Sequence, residues 1–114
     1  MQATSPRIRD EQTLCPRFHR AVELIGRRWT GAIVFVLLKG RCRYGELRAA
    51  IPLVSDRMLS ERLRELEQEG IVERHVLAAS PVRVEYALTP KGAALAQPVE
   101  ALLRWAHEWM TGDG

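Results

Sequence analysis

Residues 55–70 read SDRMLSERLRELEQEG, and the fold turns on how this stretch is understood. Ser55 is the kind of residue that caps a helix start, and Gly70 the kind that stops one. Between them Leu59, Leu63 and Leu66 recur at spacings of four and three, which predicts one apolar stripe on one helix. At about 100° per residue the opposite side carries Arg57, Glu61, Arg64 and Gln68, with Ser60 at its edge. On a lone helix such a face is commonly just solvated. The surrounding chain decides whether it does more.

The charge around this helix is uneven. Residues 41–64 hold six arginines (Arg41, Arg43, Arg48, Arg57, Arg62, Arg64) against three acids (Glu46, Asp56, Glu61), whereas residues 65–73 hold four glutamates and no basic residue. Arginine also recurs earlier, at positions 7, 9, 17, 20, 27 and 28, and the 114-residue chain carries a net charge of +3. This balance suits an anionic partner, and its placement puts the positive excess at the start of the helix.

Working outward, residues 16–25 are expected to be helical. Pro16 suits the first position, Phe18, Val22 and Ile25 form a stripe, and Gly26 ends it. A second helix is expected from Trp29 to Leu38, apolar nearly all round and therefore central to a core. RYGELRAAI, residues 43–51, gives a short third helix closed by Pro52, and residues 55–70 are the fourth. The period then changes. VRVEYAL, residues 82–88, alternates as a half-buried strand does, and IVERHVL, residues 71–77, is β-rich enough to pair with it. Thr89 and Pro90 open a last helix reaching about Met110, with a bend expected at Pro98. The expected fold is mainly α with a small β-hairpin. A short helix, a longer one with an arginine-bearing face and then a hairpin make a winged helix-turn-helix, in which the second helix of the pair enters the major groove. Residues 1–13 are expected to be a loose arm, 14–110 one DNA-binding and dimerisation domain, and 111–114 a tail.

Several stretches together resemble the HxlR family of bacterial transcriptional regulators, relatives of the MarR-type winged helix proteins. They are CP at 15–16, LIGRRWT at 24–30, RYGELR at 43–48, SDRMLSERLRELEQEGIVER at 55–74, VEYALTPKG at 84–92 and RWAHEW at 104–109. The likeness spans about residues 15–109. It departs at Arg27 and Arg28, where the family usually has glycine and lysine, and at Leu53 or Val54, where it often has glycine. The resemblance implies a DNA-binding regulator of transcription, and the residues can be set against that expectation.

Arg57 is the expected base reader, because its fork can pair two acceptors on guanine. Ser55, Asp56, Ser60 and Arg64 are candidates for base or phosphate contacts, and Arg41, Arg43 and Arg48 for phosphates. Arg83 and Ser80 lie near the expected wing tip. The bland alternative is that Arg57 and Arg64 merely pair with Glu61. Leu95, Val99, Leu102, Ala106 and Trp109 recur as 4, 3, 4, 3, with Trp105 beside them. That stripe either packs on its own domain or pairs two subunits. The resemblance implies the second, a homodimer on an inverted-repeat operator with recognition helices about 34 Å apart.

Cys15 and Cys42 are too few for a disulfide scaffold. Cys15 stands at an expected helix start near Arg17, His19 and Arg20, surroundings that favour a reactive thiolate. It matches the cysteine that several family members use to sense oxidants or electrophiles. The alternatives are an inert helix-start residue with a small ligand as signal, or a winged helix serving protein interaction. Three histidines and two cysteines fall at no metal-ligand spacing. There is no phosphate loop, nucleophile motif or paired-acid constellation, so no metal, cofactor or enzyme activity is expected. No apolar run reaches the ~18 residues of a membrane span, and the expected compartment is the cytoplasm.

Overall fold

The computed structural model describes residues 15–112. The arm expected over residues 1–13 and the end of the expected tail lie outside them. Helices α1 (Pro16–Gly26) and α2 (Thr30–Leu37) are followed by a short strand β1 (Cys42–Arg43), then α3 (Tyr44–Ala50) and α4 (Asp56–Gln68). Strands β2 (Val72–Leu77) and β3 (Arg83–Leu88) form the wing, and α5 (Pro90–Ala93) and α6 (Ala96–Trp109) close the chain. The sheet is antiparallel in the order β1-β3-β2, with Val72 opposite Leu88 and Leu77 opposite Arg83.

The core is built around α2 and α4. Ile33, Val34 and Leu37 of α2 meet Leu47 and Ile51, Val54 of the α3–α4 turn, Leu59, Leu63 and Leu66 of α4, and Ile71 and Val72 leading into β2. Full burial of each aliphatic side chain contributes about 1.5–3 kcal/mol. Ser55 caps α4 by accepting from the Met58 N–H at 3.0 Å. Gly70, at φ 75°, stops it: the Ile71 N–H bonds the Leu66 carbonyl and the Gly70 N–H the Glu67 carbonyl, the double bond of a Schellman motif. Thr89 opens α5, accepting from the Gly92 N–H at 3.0 Å. Gly92 admits no side chain, because a Cβ there would lie 2.2 Å from the Ile71 carbonyl oxygen.

Three details differ from the sequence-based expectation. β1 turns the hairpin into a three-stranded sheet; Cys42 and Arg43 pair with Tyr86 and Glu85, and two residues are too few to show a period. Trp29 is not helical but precedes α2 in the left-handed region at φ 78°, with the Arg28 guanidinium over its ring. The last helix is not one bent rod but two helices, interrupted at residues 94–95. Pro98 has no N–H for the Ala94 carbonyl, and its ring would crowd that carbonyl in a continuous helix. In the first turn of α6 it needs no such bond.

Helices α1 and α6 lie at the edge of this core, touching it through Leu24 and Val99. Neither α1 nor α6 has a buried residue. The radius of gyration is 17.0 Å, against about 13 Å for a compact domain of 100 residues.

Candidate nucleic-acid interface

The helix-turn-helix pair is α3 and α4. Leu47, Ile51 and Val54, all buried, fix the turn, and the stripe of α4 is sunk into the core, so its opposite face is committed to the outside. Arg57 is 88% exposed, its Nε 3.2 Å from Glu61 Oε2. The expected pairing with Glu61 therefore exists for Arg57. Magnitudes say it is no obstacle to DNA: an exposed i,i+4 pair is worth about 0.3–0.5 kcal/mol, a bidentate arginine–guanine contact about 1–3 kcal/mol. Arg64, one turn beyond Glu61, is exposed and has no ion-pair partner among the described residues. The Ser55 oxygen is used by the helix cap, which leaves its hydroxyl proton to donate.

Asp56, Arg48 and Ser60 are tied together rather than independently presented. Arg48 Nη1 donates to Asp56 Oδ1. Tyr44 Oη donates to Asp56 Oδ1 at 3.2 Å, is 3.0 Å from the Asp56 backbone oxygen, and lies 3.2 Å from Ser60 Oγ. The hydrogen bonds from Arg48 and then Tyr44 hold the Asp56 carboxyl below the usual carboxylate range. Tyr44 was not among the residues singled out from sequence. No periodicity marks a tyrosine that packs its ring inward and offers its hydroxyl to a neighbouring helix.

The other arginines divide between structure and surface. Arg62 is 12% exposed; its Nε donates to the Arg28 carbonyl at 2.9 Å and its Nη1 meets Glu65 Oε2 at 3.1 Å, which pins α4 to the α1–α2 connection. Arg41 crosses the sheet to Glu85 at 3.4 Å. Arg43 is exposed, its backbone N–H held by Glu46 Oε1 at 2.7 Å. Arg83 is exposed on the wing, beside the turn that contains Ser80. Leu53 in the α3–α4 turn is also exposed.

The stripe of the last helix splits. Leu95 and Val99 pack against the core of their own domain and Ala106 is half-buried, whereas Leu102, Trp105 and Trp109 are 58%, 51% and 67% exposed. Phe18 and Val22 of α1 are exposed as well, although the sequence marked them only as a helix stripe. The structure does not bring the two cysteines into one bond. Cys15 is exposed at the α1 N-cap. The nearby His19 meets Glu23 at 3.3 Å. Cys42 is half-buried with Sγ 3.7 Å from the Gly40 carbonyl, and burial, then the Glu46 carboxylate, push its thiol up from the ordinary value. Among the described residues no three His, Cys, Asp or Glu side chains cluster as metal ligands, and no helix is long and apolar enough to cross a membrane.

Comparison with known proteins agrees with this geometry. The family model described as HxlR-like helix-turn-helix matches residues 24–113. YvaP of Bacillus subtilis, an uncharacterised HTH-type transcriptional regulator, is 50% identical over 101 residues, 89% of this chain and 94% of that protein. The reduced form of the transcriptional regulator YodB from B. subtilis superposes with a TM-score of 0.79 at 45% identity, covering 89% of this chain and all of that one. The redox regulator HypR in its oxidised form superposes with a TM-score of 0.80 at 35% identity, covering 86% of this chain and all of that one.

Proposed function

This chain belongs to the HxlR-like helix-turn-helix family, whose curated relatives are transcriptional regulators rather than enzymes, and from that premise we propose that it works as a homodimer on an inverted-repeat operator. The observation that carries the reading is the two-sidedness of α4: Leu59, Leu63 and Leu66 are sunk in the core while Arg57 and Arg64 face solvent at its start and middle. Arg57 reads base edges, with Ser55, Ser60 and Arg64 beside it. Arg43 and Arg83 hold phosphates and set the register, and residues 14–110 act as one DNA-binding and dimerisation unit. The second subunit covers Leu102, Trp105 and Trp109, joined by Phe18 and Val22, and these exposed apolar side chains support that role. The protein acts in the compartment that holds its DNA, the cytoplasm.

Cys15 is the proposed thiol sensor for an oxidant or electrophile. Its exposure at a helix start supports this, as does the likeness to a redox regulator and to YodB, which has also been solved bound to quinone. The test is selection of a random duplex library by the reduced full chain at moderate salt. Recovery of an inverted repeat with half-sites about one turn apart is the expected result. A folded protein that recovers nothing overturns the reading. A Cys15→Ser variant that still releases DNA on oxidant treatment overturns the sensing role alone.

A further inference from the structure

We propose that Asp56 sets DNA specificity without reading a base, by holding Arg48 away from the phosphate backbone. The inference rests on the reading of α4 as the DNA-facing helix. Arg48 stands on α3 beside the first turn of α4, where a backbone would pass if Arg57 reached into the groove. Its Nη1 is bound to Asp56 Oδ1, and the same carboxylate oxygen accepts from Tyr44 Oη. Tyr44 also engages Ser60 and the Asp56 backbone oxygen, so two side chains of α3 hold the carboxylate at the start of α4. Arg48 Nε is buried and has no hydrogen-bond partner. With Nε shut off from water, the hydrogen bond that the guanidinium makes is spent on the Asp56 carboxylate. Asp56 itself is 76% exposed, so the pair lies at the surface that DNA would approach.

The consequence is electrostatic. An arginine free at this place binds any phosphate, because every sequence offers the same backbone. Arg48, 35% exposed and paired with a carboxylate that Tyr44 also holds, binds phosphate more weakly, since phosphate and Asp56 compete for the same donor. Asp56 therefore subtracts one sequence-independent contact from each subunit and leaves Arg57, whose contact depends on the base, to carry more of the binding.

The experiment compares the full-length wild type with Asp56→Asn on a scrambled duplex and on the selected operator, over a range of salt. Asparagine keeps the shape and an acceptor for Tyr44 but removes the charge. Asp56→Asn is expected to bind the scrambled duplex more tightly at low salt, with the slope of log affinity against log salt steeper by about 0.9 for each subunit bound. That is about three- to fourfold more affinity lost per subunit between 50 and 200 mM salt. In an Arg48→Gln background, or Arg48→Met if the first does not fold, Asp56→Asn is expected to leave the slope unchanged and to raise scrambled binding by much less. Unchanged scrambled binding overturns the inference. So does an equal gain in the Arg48-substituted background, which would make the effect general charge. Weaker operator binding with unchanged scrambled binding would make Asp56 a base reader and also overturn it. In each of those cases operator binding by the wild type leaves the reading of α4 standing. A wild type that binds neither duplex sinks both.

Discussion

Helices α4 and α6 are both amphipathic and close in length, yet they end in opposite situations. The apolar side of α4 is wholly buried by α2, α3 and the wing, and only its arginine face meets solvent. The apolar side of α6 reaches the core through Val99 and then runs outward, leaving Leu102, Trp105 and Trp109 in water. A hydrophobic stripe on a helix is stabilised by whatever covers it. It does not say whether that cover is in the same chain. Where the stripe is satisfied internally, the opposite face is available for function; where it is not, the stripe itself is the surface proposed for the second subunit.

Substitutions on the two helices should therefore fail in different ways. The largest effect is expected from Leu63→Ala in α4, which opens a cavity in a closed core and should lower unfolding free energy by about 2–5 kcal/mol in urea titration. Trp105→Ala in α6 should leave the fold intact and weaken self-association instead, by about 2 kcal/mol or more, read by sedimentation equilibrium. If Trp105→Ala unfolds the chain while leaving the subunit equilibrium alone, the contrast between the helices is gone. Arg57→Ala should cost about 1–3 kcal/mol on the selected operator and relax preference at one position per half-site, with little change in melting temperature.

The smallest effect separates the cysteines. Burial and Glu46 raise the Cys42 thiol, so its thiolate fraction is reduced near neutral pH and grows only at higher pH. Cys15 should label first with iodoacetamide, and Cys42 should catch up as pH rises, both followed by mass spectrometry. Equal rates at neutral pH would remove the distinction.

Most of the fold is legible in the sequence because it rests on local chemistry. The α4 stripe, Ser55, Gly70, Thr89 and the alternation of residues 82–88 each name an element without knowledge of its neighbours. What is not legible is long-range or too short to show a period. β1 exists only because Cys42 and Arg43 meet β3 some forty residues later. The break before α6 follows from Pro98, which sequence reading assigns to a bend because the residue cannot show how far the helix yields. The candidate site divides in the same way. The exposed position of Arg57 follows from its place opposite the leucines, whereas the internal duty of Arg62 and the joining of Arg48, Asp56 and Tyr44 depend on contacts between elements.

The central claim is that two copies of α4 read the major groove of one duplex. Protection of guanine N7, which lies in the major groove, tests it most directly, on the selected operator with wild type, Arg57→Ala and Trp105→Ala. Two clusters of protected guanines about 34 Å apart are expected for the wild type. Arg57→Ala should lose a contact within each cluster, and Trp105→Ala should weaken both clusters together. A single cluster that Trp105→Ala leaves untouched, or an N7 pattern unchanged by Arg57→Ala, would contradict it.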